Sequence, residues 1–206
     1  MGMGEPILVV EREYLFSDGG FQGFISSKKK DYLSRILSNY KYEIRSPELE
    51  KNPALQQPIP YVWIVNPKEK KAFLYKRAKT GNEGRLHNKF SGGVGGHIDK
   101  NTEENSKNPI HDAMMRELME EVVMEHYPVP NIIGYINDDA DPVGQVHFGL
   151  VALCETLSDV KPLEDMSEGK FYTIEEVENI FSNSENDIEN WTRLSWPFIK
   201  EYLISN

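Results

Sequence analysis

A single cysteine, Cys154, stands in a chain of 206 residues. That scarcity rules out an internal disulfide and a multi-cysteine zinc centre, and it fits a reducing cytoplasm. Cys154 itself is expected to pack in the core at a strand end. No apolar run reaches the roughly 20 residues needed to span a bilayer, and the N-terminus lacks the pattern of a secretory leader. A cytoplasmic location without a membrane partner is expected. Cations are in deficit, with 23 Lys+Arg against 33 Asp+Glu and a formal charge of -10. That balance argues against a general nucleic-acid surface. His87, His111, His126 and His147 show no ligand spacing among themselves, so a zinc site is not expected either.

What the chain does have is a crowded glycine stretch followed by an acidic helix. Gly92, Gly93, Gly95 and Gly96 fall within five residues, just after the aromatic Phe90. So little side-chain volume lets backbone groups approach a ligand directly, although a glycine hairpin without a ligand reads the same way. Downstream, Glu117, Glu120 and Glu121 stand at i, i+3 and i+4, which places three carboxylates on one face of a helix. Met115, Leu118, Met119 and Val122 would supply the apolar stripe. Three anions in the later half of a helix repel one another and oppose its dipole, so a cation should offset them. Oxygen-only ligands suit a hard ion, Mg2+ first and Mn2+ second. A solvated acidic face, with Arg116 pairing to Glu120, is the alternative.

From Gly96, and again from Arg116 to Met124, these residues resemble the signature of the Nudix hydrolases: Gly, five residues, Glu, seven residues, then Arg-Glu-apolar-x-Glu-Glu-x-Gly-apolar. Ala113 also agrees with the usual pattern. The resemblance implies that Glu117, Glu120 and Glu121 bind the metal, with the Gly95 carbonyl as a further ligand, and that Arg116 orients the glutamates. The chain departs from the pattern in three places. Gly96 and Arg116 are twenty positions apart instead of fourteen, which implies a six-residue insertion between Asp99 and Asn108. Asn108 stands where a Glu is expected, leaving Glu103 or Glu104 to pair with Arg116. Val123 replaces the late glycine, so the helix is expected to run on.

The flanks fit a supporting architecture. Residues 60–66 read as a buried strand, and a polar turn at 66–70 leads into a second strand at 72–77. Residues 131–137 and 145–153 read as further strands, the latter central. Residues 171–181, opening on Thr173-Ile174-Glu175-Glu176, and 194–204 read as helices, the first with a capping box. The first part of the chain shows a strand at 7–16, a turn at Asp18-Gly19-Gly20 with a return strand at 21–25, and a short helix from Asp31. Residues 47–60, with four prolines, read as an extended connection. The expected fold is α+β: a Nudix-type α/β/α sandwich with a mixed sheet over residues 58–206, plus a small N-terminal α+β extension over residues 1–57. That extension could cover the substrate cleft or form a homodimer contact.

Such a site would be a metal-dependent pyrophosphatase, a hydrolase of a nucleoside diphosphate linked to another moiety. Its partner would be a small-molecule nucleotide or diphosphate. Glu117, or Glu164 and Glu168 in the loop before Phe171, are candidates for general base. Gly96, His97 and Arg77 are candidates for substrate contact, Arg85 for phosphate. Two other readings stand beside this one. A nucleotide-sensing module would bind without cleaving, and an isopentenyl-diphosphate isomerase would need a catalytic cysteine, whereas Cys154 lies far downstream of the glycine stretch. Tyr61, Trp63, Phe90 and Tyr135 could stack a base but read more simply as core.

Overall fold

The apolar run Ile7-Leu8-Val9-Val10 lies in strand β1 (Pro6–Glu11), where all four side chains are buried. The computed structural model describes residues 2–77, 89–103, 105–140, 142–163 and 166–206. Its elements fall into two compact units, each assembled from three separated stretches. The first comprises Met1–Tyr61, Gly95–Met114 and Ile132–Ala152; the second comprises Val62–Val94, Met115–Asn131 and Leu153–Asn206. The fold is α+β with a mixed sheet.

In the first unit, helix α1 (Arg12–Leu15) follows β1 directly, so the strand expected to reach residue 16 ends at Glu11. Strand β2 (Gly23–Ser26) does not return along β1. It pairs antiparallel with β9 (Asn131–Asn137), Phe24 opposite Ile136. Glycine makes that pairing close: a Cβ on Gly134 would stand 2.2 Å from the Phe24 ring. Helix α2 (Tyr32–Ser38) begins at Asp31, whose carboxylate accepts from the Ser34 amide at 3.0 Å, an N-cap on one of the helix's unpaired donors. Strand β3 (Tyr40–Ile44), not anticipated from the sequence, pairs with β1. Next comes a 3-10 turn, Leu49–Lys51, and then strand β4 (Leu55–Asn66). The proline-rich stretch is therefore structured, and position 57 falls inside a strand. Gln56 and Gln57 are fully buried. Within this unit the strand order is β4-β10-β9-β2, with β10 spanning His147–Glu155. Phe16, Phe21, Tyr32, Tyr135 and Phe148 form one aromatic cluster, the Tyr32 and Phe148 rings 5.2 Å apart and edge to face.

In the second unit, the expected hairpin is present: β5 (Lys71–Arg77) returns along the end of β4, Ala72 opposite Val65. Two short strands complete the surroundings, β6 (Phe90–Ser91) on β5 and β7 (Gly93–Val94) on β4. On its other side β5 pairs with β12 (Met166–Thr173), Phe73 opposite Phe171. The helix expected from residue 171 therefore starts only at Ile174, as α5 (Ile174–Ser182). Residues 171–173 close a strand because their backbone groups are claimed by β5. The capping box is present, with the Thr173 side chain and Glu176 satisfying each other's backbone amides. Helix α6 (Asn190–Ser205) is longer than read and holds Pro197 inside it. Trp63 anchors it, donating from Nε1 to Ser195 Oγ at 2.9 Å with its ring 5.9 Å from Trp196.

Two glycines of the crowded stretch are explained by β4 alone. A Cβ on Gly92 would lie 2.2 Å from the Trp63 ring, and one on Gly95 would lie 1.8 Å from the Pro60 carbonyl oxygen. Neither position has room for a methyl group. We expect Gly95→Ala, which meets unyielding backbone, to cost about 3 kcal/mol, the upper end of overpacking. Thr173→Ala should cost about 1 kcal/mol through its lost cap. Both would be read as shifts in urea midpoint at unchanged slope.

Candidate active site

The acidic helix is α4 (Pro109–Glu121). Asn108, which departs from the signature, has a local job: its Oδ1 accepts from the His111 amide at 3.1 Å, capping the helix, and Pro109 occupies the first turn where no amide is needed. The six-residue insertion upstream carries a helical turn of its own, α3 (Lys100–Glu103). There Glu103 is buried and accepts from the Asp99 amide at 2.6 Å. At the other end, Val123 does not prolong the helix. Val122–Val123 form strand β8, which pairs with β11 (Lys161–Pro162). The Glu121 carbonyl is met by the Leu163 amide at 2.9 Å and the Val122 carbonyl by the Tyr127 hydroxyl at 2.9 Å.

The buried stripe of α4 differs from the expected one. Ile110, Ala113, Met114 and Leu118 are buried, whereas Met119 is 53% exposed. Glu117 takes a place on that buried stripe and is only 7% exposed. Burial pushes its carboxyl up to about 7, against the lowering pull of Arg116. Arg116 Nη1 donates to Glu117 Oε1 at 2.8 Å and to Glu120 Oε2 at 2.9 Å. Glu120 is exposed and Glu121 half-buried. The donor set is thus three carboxylates, all hard oxygens, graded from interior to solvent, with the Arg116 guanidinium beside two of them. Its chemistry fits a divalent cation such as Mg2+ or Mn2+.

The surroundings of the other residues singled out from the sequence are as follows. Gly95 and Gly96 are half-buried. Glu168 sits at an irregularity of β12 with a left-handed backbone, φ 54°, and its Oε2 is 2.9 Å from Lys76 Nζ. The Arg77 side chain, Arg85, His87, Glu104 and Glu164 lie outside the described residues. Tyr61, Trp63, Phe90 and Tyr135 are all buried, as core reading required. Cys154 is buried in β10, and desolvation pushes its thiol up to about 12, which disfavours the thiolate that a nucleophilic role requires.

One grouping escaped sequence reading. His97 and His147, fifty positions apart, bring their Nε2 atoms to 3.3 Å, and Glu50 Oε2 stands 3.9 Å from His147 Nε2. Spacing along the chain carried no sign of this, because the three residues come from a 3-10 turn, a glycine-flanked loop and the start of a strand. Only the folded first unit assembles them.

Comparisons with known proteins agree with this architecture. Protein YmaB of Bacillus subtilis strain 168 is 34% identical in an alignment 204 positions long that covers 93% of this chain and 95% of that protein. The crystal structure of Tm1382, provisionally assigned as a Nudix hydrolase, matches at TM-score 0.77 and 27% identity over 96% of this chain and 99% of that one. The bifunctional NMN adenylyltransferase/ADP-ribose pyrophosphatase of Francisella tularensis, solved with AMP and a manganese ion, shares the fold at TM-score 0.52 and 13% identity. That match covers 72% of this chain and 42% of that one. No family model matches the chain. The fold is the one that Nudix hydrolases share, as the match to Tm1382 over nearly the whole chain shows. The chain belongs to the Nudix family.

A thiol-directed reagent at neutral pH should leave Cys154 unmodified in the native chain and react promptly once the chain is unfolded in denaturant. Prompt native-state labelling, followed by mass spectrometry, would mean that the strand end opens far more readily than its burial indicates.

Proposed function

We propose that the chain hydrolyses the pyrophosphate bond of a nucleoside diphosphate linked to another moiety, and that Glu117, Glu120 and Glu121 hold the divalent cation this requires. The observation that carries the reading is the buried Glu117 on the apolar stripe of α4. A carboxylate there costs stability unless a cation or a proton offsets it, and such sites cluster where chemistry is done. A bound divalent cation would supply charge neutralisation at the diphosphate and acidify a water ligand.

The chain's own residues do the rest. Arg116 bridges Glu117 and Glu120 across one helical turn, fixing two carboxylates in one orientation before any ligand arrives. Glu117 is the candidate for accepting a proton from attacking water. It is held inside, whereas Glu168 is exposed and tied to Lys76. The net charge of -10 gives the substrate no general electrostatic welcome, so recognition of its anionic part rests on the cation and on local donors.

The experiment is a screen of nucleoside diphosphate derivatives with and without Mg2+ or Mn2+, monitored by nucleotide or phosphate release. Cleavage should require the cation and stop with a chelator. Glu120→Gln and Glu121→Gln should each lower kcat/KM by on the order of 100-fold or more, with the fold retained. Full activity in both variants would remove the carboxylates from the mechanism. Tight nucleotide binding without cleavage would make the chain a sensor.

A further inference from the structure

We propose that the first unit contains a metal centre of its own, in which Glu50, His97, His147 and the side-chain oxygen of Gln57 hold a divalent transition-metal ion of the zinc class. None of these residues belongs to the acidic helix, and two imidazoles with two oxygens form a softer donor set than three carboxylates. The prospective ligand atoms of Glu50, His97 and His147 all lie within 4.8 Å of one another.

Geometry carries the proposal. A tetrahedral zinc site with bonds of about 2.0–2.1 Å has edges of about 3.3–3.4 Å between neighbouring ligand atoms. The two Nε2 atoms are 3.3 Å apart. Gln57 Oε1 is 2.8 Å from His97 Nε2, and Glu50 Oε2 is 3.9 Å from His147 Nε2. These two edges depart from the tetrahedral length by about half an ångström each, in opposite directions.

The surroundings are arranged as ligands require. His147 Nδ1 lies 2.8 Å from the Val143 carbonyl, to which it can only donate, so the lone pair of the neutral ring is on Nε2, facing His97. A carbonyl behind a ligating imidazole is the usual orienting partner. Glu50 Oε1 accepts from Arg45 Nε at 2.6 Å, which fixes the carboxylate while Oε2 faces His147. Gln57 is fully buried and its Nε2 has no hydrogen-bond partner among the described residues, while its Oε1 is aimed at the histidine. With His97 and His147 only 7% and 6% exposed and four protein ligands, the site is closed, and its role is structural. It clamps the loop after the glycines to the 3-10 turn, to β4 and to the start of β10.

The test uses the full chain carrying Glu120→Gln and Glu121→Gln together, so that the acidic helix does not dominate metal binding. Titrated with Co2+, this protein should take up one equivalent with the visible absorption of four-coordinate cobalt, which Zn2+ displaces. Zn2+ should also raise its melting temperature. Adding Glu50→Gln, a half-buried and conservative change, should weaken Zn2+ binding at least about 10-fold, and adding His147→Gln should abolish the cobalt band. If His147→Gln fails to fold, Glu50→Gln alone decides. Two results overturn the proposal: no cobalt band and no Zn2+-dependent rise in the parent, or a band and affinity that Glu50→Gln leaves unchanged. In either case the histidines are a hydrogen-bonded pair in which His97 Nε2–H is shared between Gln57 and His147.

Discussion

Everything near the glycine stretch depends on β4 remaining extended and nearly free of solvent for its whole length. Residues 61–65 are all buried, and the strand is lined by partners: β1 and β10 in the first unit, β5 and β7 in the second. A strand enclosed like this leaves no side-chain volume for whatever lies over it. That is why Gly92 rests on the Trp63 ring and Gly95 on the Pro60 carbonyl. The sequence alone admits two accounts of these glycines, room for a ligand or a hairpin without one. At these two positions they first make room for the strand.

The acidic helix solves an opposite problem, which is to keep charge where packing would prefer hydrocarbon. An isolated buried carboxylate neutralises or finds a partner. Glu117 does some of each: its carboxyl is displaced toward neutrality by desolvation, and Arg116 pulls it back. The same guanidinium reaches Glu120, so the two carboxylates share one donor. A helix with Leu at position 117 would pack more easily, without a charge to offset.

How much could be read from the chain depended on whether its signals were local. The capping box at Thr173, the N-cap at Asp31, the reversal at residues 66–70 and the apolar strands announced themselves, because their causes lie within a few residues. Helix α4 was legible for the same reason, and so was the family. Its buried face was not: strict periodicity placed Met119 inside, and the structure places Glu117 there. Non-local choices also went unread. Nothing in residues 21–26 reveals that their partner is β9, more than a hundred positions away, instead of β1. Strands of two residues, such as β8 and β11, carry no pattern at all, yet β8 is what ends the helix after Glu121. The meeting of His97, His147 and Glu50 is of this kind, invisible to spacing and evident once β10 and the loop are in place.

The interleaving of the two units has a consequence for how the chain is made. Each is built from three stretches, and the first is not complete until residue 152 has been added. During synthesis at about 5–20 residues per second, β2 waits for β9 for several seconds or more, its pairing edge open. Phe21 and Tyr32 wait as long for Tyr135 and Phe148, the aromatic partners that will cover them. The nascent chain therefore presents these aromatic rings and this strand edge early and covers them late.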